Sequence, residues 1–203
     1  MNLDAAWQAV AAAPWPGVDG APGMPEPVAY ALGVIGVALA LAGGRLGGHA
    51  RLLAEVGMGA LAGLSLALAL DPAARGDGAQ ATLIGWASLG AVAVGWMGYR
   101  SRRIGFMVVG GVASYLMAGA FGEVLGLGVL RSTIGLIGAA VAPWTFEVAP
   151  AMWTAFIGAL LVAAGAGVAP ASPWTLAAAA GATGLQWMYG ARRASDGAGA
   201  PPP

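Results

Sequence analysis

The stretch AVAVGWMGYRSRRIGFMVVGG, residues 91–111, carries an apolar run, then Arg100, Arg102 and Arg103, then a second apolar run. A helix that crosses a bilayer needs roughly 17 to 25 mostly apolar residues. Arginine is held back on the cytoplasmic side during insertion. The stretch therefore predicts two spanning helices joined by a short inner turn. The same alternation continues outward in both directions. Apolar runs at 28–44, 52–70, 81–99, 104–122, 124–141, 151–168 and 174–189 predict seven spans. The gaps hold helix breakers: Gly47 with Gly48, Asp71-Pro72, Pro143 to Pro150, and Pro170 with Pro173.

Composition agrees. The 203 residues are 59% hydrophobic and only 9% charged, with mean hydropathy +0.76. Soluble domains carry roughly 25% charged residues, so so few charges would not cover a water-facing surface. The fold class expected is all-α, a polytopic integral membrane bundle. Glycine reaches 35 residues without a collagen period. Small residues let helices approach closely in lipid.

All nine basic residues are arginine. With seven spans, Arg45, Arg51, Arg100, Arg102, Arg103, Arg192 and Arg193 fall on one side, and Arg75 and Arg131 on the other. The expected orientation is N-terminus out, C-terminus in. Trp96, Trp144, Trp153 and Trp187 then fall near the inner interface, and Trp7, Trp15, Trp86 and Trp174 near the outer one, the levels that indole rings prefer. Core packing is the alternative for any single tryptophan, Trp86 above all. Residues 1–27 read as an interfacial helix or a loose extramembrane leader, 28–190 as the transmembrane domain, and 191–203 as a disordered cytoplasmic tail. The setting expected is a prokaryotic inner membrane.

Two stretches are alike. Gly43-Gly44-Arg45, Arg51 and Val56-Gly57-Met58-Gly59-Ala60 parallel Gly98-Tyr99-Arg100, Arg103 and Val109-Gly110-Gly111-Val112-Ala113. Spans one-two and three-four would be parallel copies of one hairpin, spans five-six a third copy with the inner turn 142–150, and span seven the odd helix. Gly59 with Gly63, Gly110 with Ser114, Gly135 with Gly138 and Gly181 with Gly184 supply small faces for packing within the bundle or between copies.

Ionisable groups inside a membrane are costly and are candidates for function. Glu55 lies four residues after Arg51, on one helix face, where the two can pair. The alternative is a carboxylate that binds a cation or a proton at the inner mouth of a pore. Glu123 and Arg131 flank one outer turn and read as an ion pair that pins it; Arg131 is the charge furthest into a predicted span, and the alternative is that it faces a cavity, where it would bind an anion or gate a pore. Glu147, in the inner turn, is placed to meet Arg51 or Arg103. Ser114 and Gln186 are candidates for a polar pathway, with Tyr189 or a carbonyl of another helix as partner for Gln186.

Absences narrow the chemistry. There is no cysteine and no lysine, so thiol catalysis, a retinal Schiff base and a P-loop lysine are excluded. The single histidine, His49, falls in an inner turn, away from haem ligation in the membrane and from an HExxH zinc site. No cofactor, no metal and no enzymatic activity are expected, and zero net charge gives no face for nucleic acid. Gly98-Tyr99-Arg100 through Gly110-Gly111, with a fainter copy at Gly44-Arg45 through Gly59, resembles seven-pass proteins of the transmembrane-198 family. That resemblance implies a multi-pass protein without a catalytic site. Size and pass count also resemble trimeric prokaryotic cation channels of the intracellular type, but their Gly-Gly-Gly-Thr-x-Arg-Asp motif is missing. Two functions are expected as alternatives. One is a structural or accessory subunit, in a homo-oligomer or a larger membrane complex, whose partners are lipid and other membrane helices. The other is a small channel or transporter with its path between the repeated hairpins.

Overall fold

The computed structural model describes residues 23–46, 48–76, 78–125, 130–168 and 172–197, with side chains at 44–45, 119–125 and 189–197 outside the description. Among the described residues the chain is all-α. Its seven helices are α1 Glu26–Leu46, α2 Gly48–Leu70, α3 Ala79–Arg100, α4 Arg102–Leu125, α5 Arg131–Val148, α6 Pro150–Gly165 and α7 Pro173–Gly197, with a 3-10 turn at Pro72–Arg75. Three of them, α1, α2 and α3, are long and apolar enough to cross a membrane; α6 is apolar but has 16 residues. Tyr30, Val92, Trp96, Leu136, Trp144 and Trp187 all point outward. An apolar exterior of this kind suits lipid and not water.

The helices alternate between two kinds of turn. At one end of the bundle, α3 gives way to α4 across the single residue Ser101 and α5 to α6 across Ala149; α1 ends at Leu46 and α2 begins at Gly48, with position 47 outside the described residues. At Ser101 the backbone N–H closes α3 on Met97 O (2.8 Å), and Gly105 N–H then opens α4 on Ser101 O (3.0 Å). Ala149 does the same between Thr145 O and Trp153 N–H (2.9 and 3.2 Å), with Pro150 as the first residue of α6. Proline suits that position because its missing N–H would have no helical partner there. The opposite end carries the longer connections. The first of these is tied down by Asp71, which accepts from Ala73 N–H (3.0 Å) and from Trp86 Nε1–H (3.0 Å). The Arg75 guanidinium folds back to donate to Leu68 O. Gly78, in the left-handed region at φ +84°, then starts α3.

Close packing follows small residues. The three tightest pairs are α2 with α3, α4 with α5 and α1 with α6. Each has a glycine opposite a glycine at its crossing. A Cβ on Gly59 would run into Gly90 O, and one on Gly90 into Gly59 O. A Cβ on Gly110 would lie 3.0 Å from Gly138 O and one on Gly138 2.9 Å from Gly110 O. A Cβ on Gly36 would lie 2.7 Å from Gly158 O and one on Gly158 2.6 Å from Gly36 O. Helices this close gain dispersion energy and weak Cα–H contacts. Each tight pair joins the second helix of one short-turn hairpin to the first helix of another, so α1 to α6 form a closed circuit. Helix α7 lies outside it, against α6 and α1. Met58, Leu61, Leu64, Leu68, Val109, Leu116, Ile157, Leu160 and Leu161 fill the middle and are buried.

The fifth element departs from expectation. The span predicted at 124–141 is a helix at Arg131–Val148, and the turn expected at 142–150 is helical up to Val148. Pro143 sits inside α5. Proline forfeits the helical hydrogen bond that its nitrogen would give to the carbonyl of Ala139, four residues earlier. Thr145 Oγ1 donates to the carbonyls of Val141 (3.2 Å) and Ala142 (3.3 Å) beside it. The shift moves Arg131 from the interior of a span to the first residue of α5. Helix α7 runs on to Gly197, past the expected domain boundary at 190.

Candidate functional site

Glu55 is the only charged side chain buried among the described residues, with 0% exposure. It sits in the second turn of α2, one helical turn before the Gly59 crossing. Helix periodicity brings Arg51 over it, and Arg51 Nε lies 3.4 Å from Glu55 Oε1, the guanidinium side chain remaining 29% exposed. The carboxyl is pressed between the last turn of α3 and the first turn of α4. A Cβ on Gly98 or on Gly105 would collide with it. The two glycines therefore make a notch cut to fit the Glu55 head. Among the described residues no hydrogen-bond donor reaches either oxygen, and Arg51 Nε makes no hydrogen bond either.

A second buried polar group lies in the α1–α6–α7 contact. Gln186, 8% exposed, donates through Nε2 to Leu39 O (2.8 Å) and Ala40 O (2.9 Å) on α1. Its Oε1 accepts from Thr154 Oγ1 on α6 (3.1 Å). One side chain thus ties three helices, and Thr154 stands where a Cβ on Gly43 would otherwise go. Thr154 occupies in the α1–α6 pair the level that Glu55 occupies in the α2–α3 pair, four residues before the glycine crossing. In the α4–α5 pair that level is filled by Phe106 stacked on Phe146, with ring centroids 4.2 Å apart; Trp153 of α6 extends the stack at 4.8 Å and donates to Thr145 Oγ1 (2.9 Å).

The other expected site residues are dispersed. Arg131 donates through Nε to Tyr115 O (3.2 Å) and lies over the Tyr115 ring, 4.3 Å from its centroid. It braces α5 against α4, and the expected pair with Glu123 lies outside the described residues. Glu147 lies on the exposed side of the last turn of α5 and makes no ion pair with Arg51 or Arg103. Ser114 packs on Gly138 in the α4–α5 crossing, in a different interface from Gln186, so the two do not line one path. For Gln186 the carbonyls of α1 take the amide, and Tyr189 lies outside the description.

Sequence reasoning missed the glycine notch. Gly98 and Gly105 lie 43 and 50 residues beyond Glu55, and their shared small size is the only signal of a common neighbour. No group of three or more His, Asp or Glu side chains that would hold a metal ion occurs among the described residues. No protein-family model, no curated protein and no solved structure matches this chain.

Proposed function

We propose that this protein is a seven-pass membrane protein, N-terminus out and C-terminus in, that works as a non-enzymatic subunit through helix contacts buried in lipid. The short-turn end, with Arg51, Arg100, Arg102 and Arg103, is the cytoplasmic end in this reading, as expected for arginine held back during insertion. The host is a prokaryotic inner membrane, and the partners are lipid, further copies of the chain or other membrane subunits. The resemblance to transmembrane-198 proteins points to the same class.

The observation that carries the proposal is what the uncharged polar groups between the helices are used for. Gln186 and Thr154 are engaged in bonds between helices, and Ser114 is in packing against Gly138. The interfaces where a path between hairpins would run are glycine crossings in backbone contact, and the middle of the circuit is filled by leucine. That arrangement favours a scaffold over a conduit. Purification in mild detergent, followed by reconstitution into vesicles, tests it. An oligomer or a complex with other membrane subunits is expected, with vesicles no leakier to K+, Na+ or small neutral solutes than protein-free ones. Flux above that background, from a folded sample, would refute the scaffold role.

A further inference from the structure

We propose that Glu55 is a proton-binding site, its carboxyl held in the Gly98–Gly105 notch where α2, α3 and α4 meet and in exchange with the short-turn aqueous side past Arg51. The inference is independent of the scaffold reading and adds a ligand that a scaffold does not require.

An ionised carboxylate removed from water needs several donors or a close, well-aligned cation to offset its lost hydration. Glu55 has neither in full. Its one described partner approaches a single oxygen at 3.4 Å, longer than the roughly 2.7–2.9 Å of a strong charge-assisted bond. Gly98 and Gly105 bring backbone against the remainder of the head. Taking up a proton removes the charge without demanding more donors, and the notch accepts the neutral acid unchanged in shape.

The charged groups on the elements around Glu55 are few and mostly turned away. On α2 they are Arg51 and the exposed His49. From α3 there are Tyr99 and Arg100, both exposed. From α4 there are Arg102, lying 5.4 Å over the Phe106 ring, and Arg103, also exposed. The α1 side offers Arg45, whose side chain is outside the description, and α6 offers the uncharged Thr154. Arg51 is thus the described cation that competes with the proton for Glu55. Being part-exposed, Arg51 also links the notch to water. The two occupancy states differ in whether Arg51 is drawn onto the carboxyl or released from it.

Infrared difference spectroscopy of the full chain in vesicles, titrated from roughly pH 5 to pH 9, the range reached by documented buried carboxyls, reads this directly. A C=O stretch of a protonated carboxyl is expected to appear and disappear across the titration and to be missing from Glu55→Gln. Arg51→Gln should move the midpoint of the same band upward by at least a unit, a tenfold change in proton affinity, because the competing cation is gone. That shift identifies the band even if Glu55→Gln fails to fold. A spectrum without a titrating carboxyl band, or a band unaffected by both substitutions, would overturn the proposal and leave Glu55 as a fixed ion pair.

Discussion

At the scale of the residue, glycine and glutamine do different work in this bundle. Gly59 and Gly90 meet backbone to backbone, whereas Gly181 and Gly184 on α7 have nothing within 4 Å of a would-be Cβ. Gly59→Ala or Gly90→Ala is expected to cost about 1 to 3 kcal/mol through overpacking. Gly181→Ala and Gly184→Ala should be neutral or gain up to about 1 kcal/mol from helix propensity. Thermal unfolding in detergent distinguishes them, and equal losses at all four would show that the crossing is not as close as described. Gln186→Leu removes the amide that joins α1, α6 and α7, for an expected loss of about 1 kcal/mol. In a double-mutant cycle with Thr154→Val the two losses should fall short of additive, since the pair shares a bond. Much of this was legible beforehand only in outline. Gln186 stood out as a costly polar residue in an apolar run, and carbonyls of another helix were among its expected partners. That Thr154 would be the second partner was not legible, because 32 residues separate the two.

At the scale of the element, helix α5 shows where pattern and packing part. Pro143 and the polar cluster after it read as a turn, yet Arg131–Val148 is one helix with proline inside it. The propensity penalty is local, while Phe146, two turns from Gly138 on the same face, is held by stacking between Phe106 and Trp153. Only these rings and the Trp153–Thr145 bond join α5 to α6 closely, since that hairpin is otherwise loosely packed. Phe146→Ala should therefore cost roughly 3 kcal/mol and loosen the α5–α6 end selectively. Hydrogen exchange in that region should rise more than in α2 or α3. Uniform acceleration across all helices would mean that the stack is not a local tie. The other helices were legible because their apolar runs are unbroken and their breakers lie outside them or at their first residue, as Gly48, Pro150 and Pro173 do.

At the scale of the whole molecule, three short-turn hairpins close on one another through three glycine crossings, with α7 laid against the seam between the third and the first. The single-residue breaks at Ser101 and Ala149, and the crossing points at Gly36, Gly90 and Gly138 on the first helix of each hairpin, give the hairpins a common register. Sequence likeness between the first two hairpins hinted at this. The third copy was expected at spans five-six, but its turn carries no arginine and aromatic rings stand one helical turn from its glycine crossing, so its sequence resembles the other two less.

The orientation of this bundle in a bilayer is the claim on which the proposed function rests, and the absence of native cysteine makes it directly measurable. Single cysteines placed at His49 or Ser101, at the short-turn end, and at Gly76, at the long-turn end, are treated with a membrane-impermeant maleimide on intact cells. Gly76→Cys is predicted to react at once, and His49→Cys and Ser101→Cys only after permeabilisation. Reaction of either short-turn cysteine in intact cells, or equal reaction at both ends, would contradict the account.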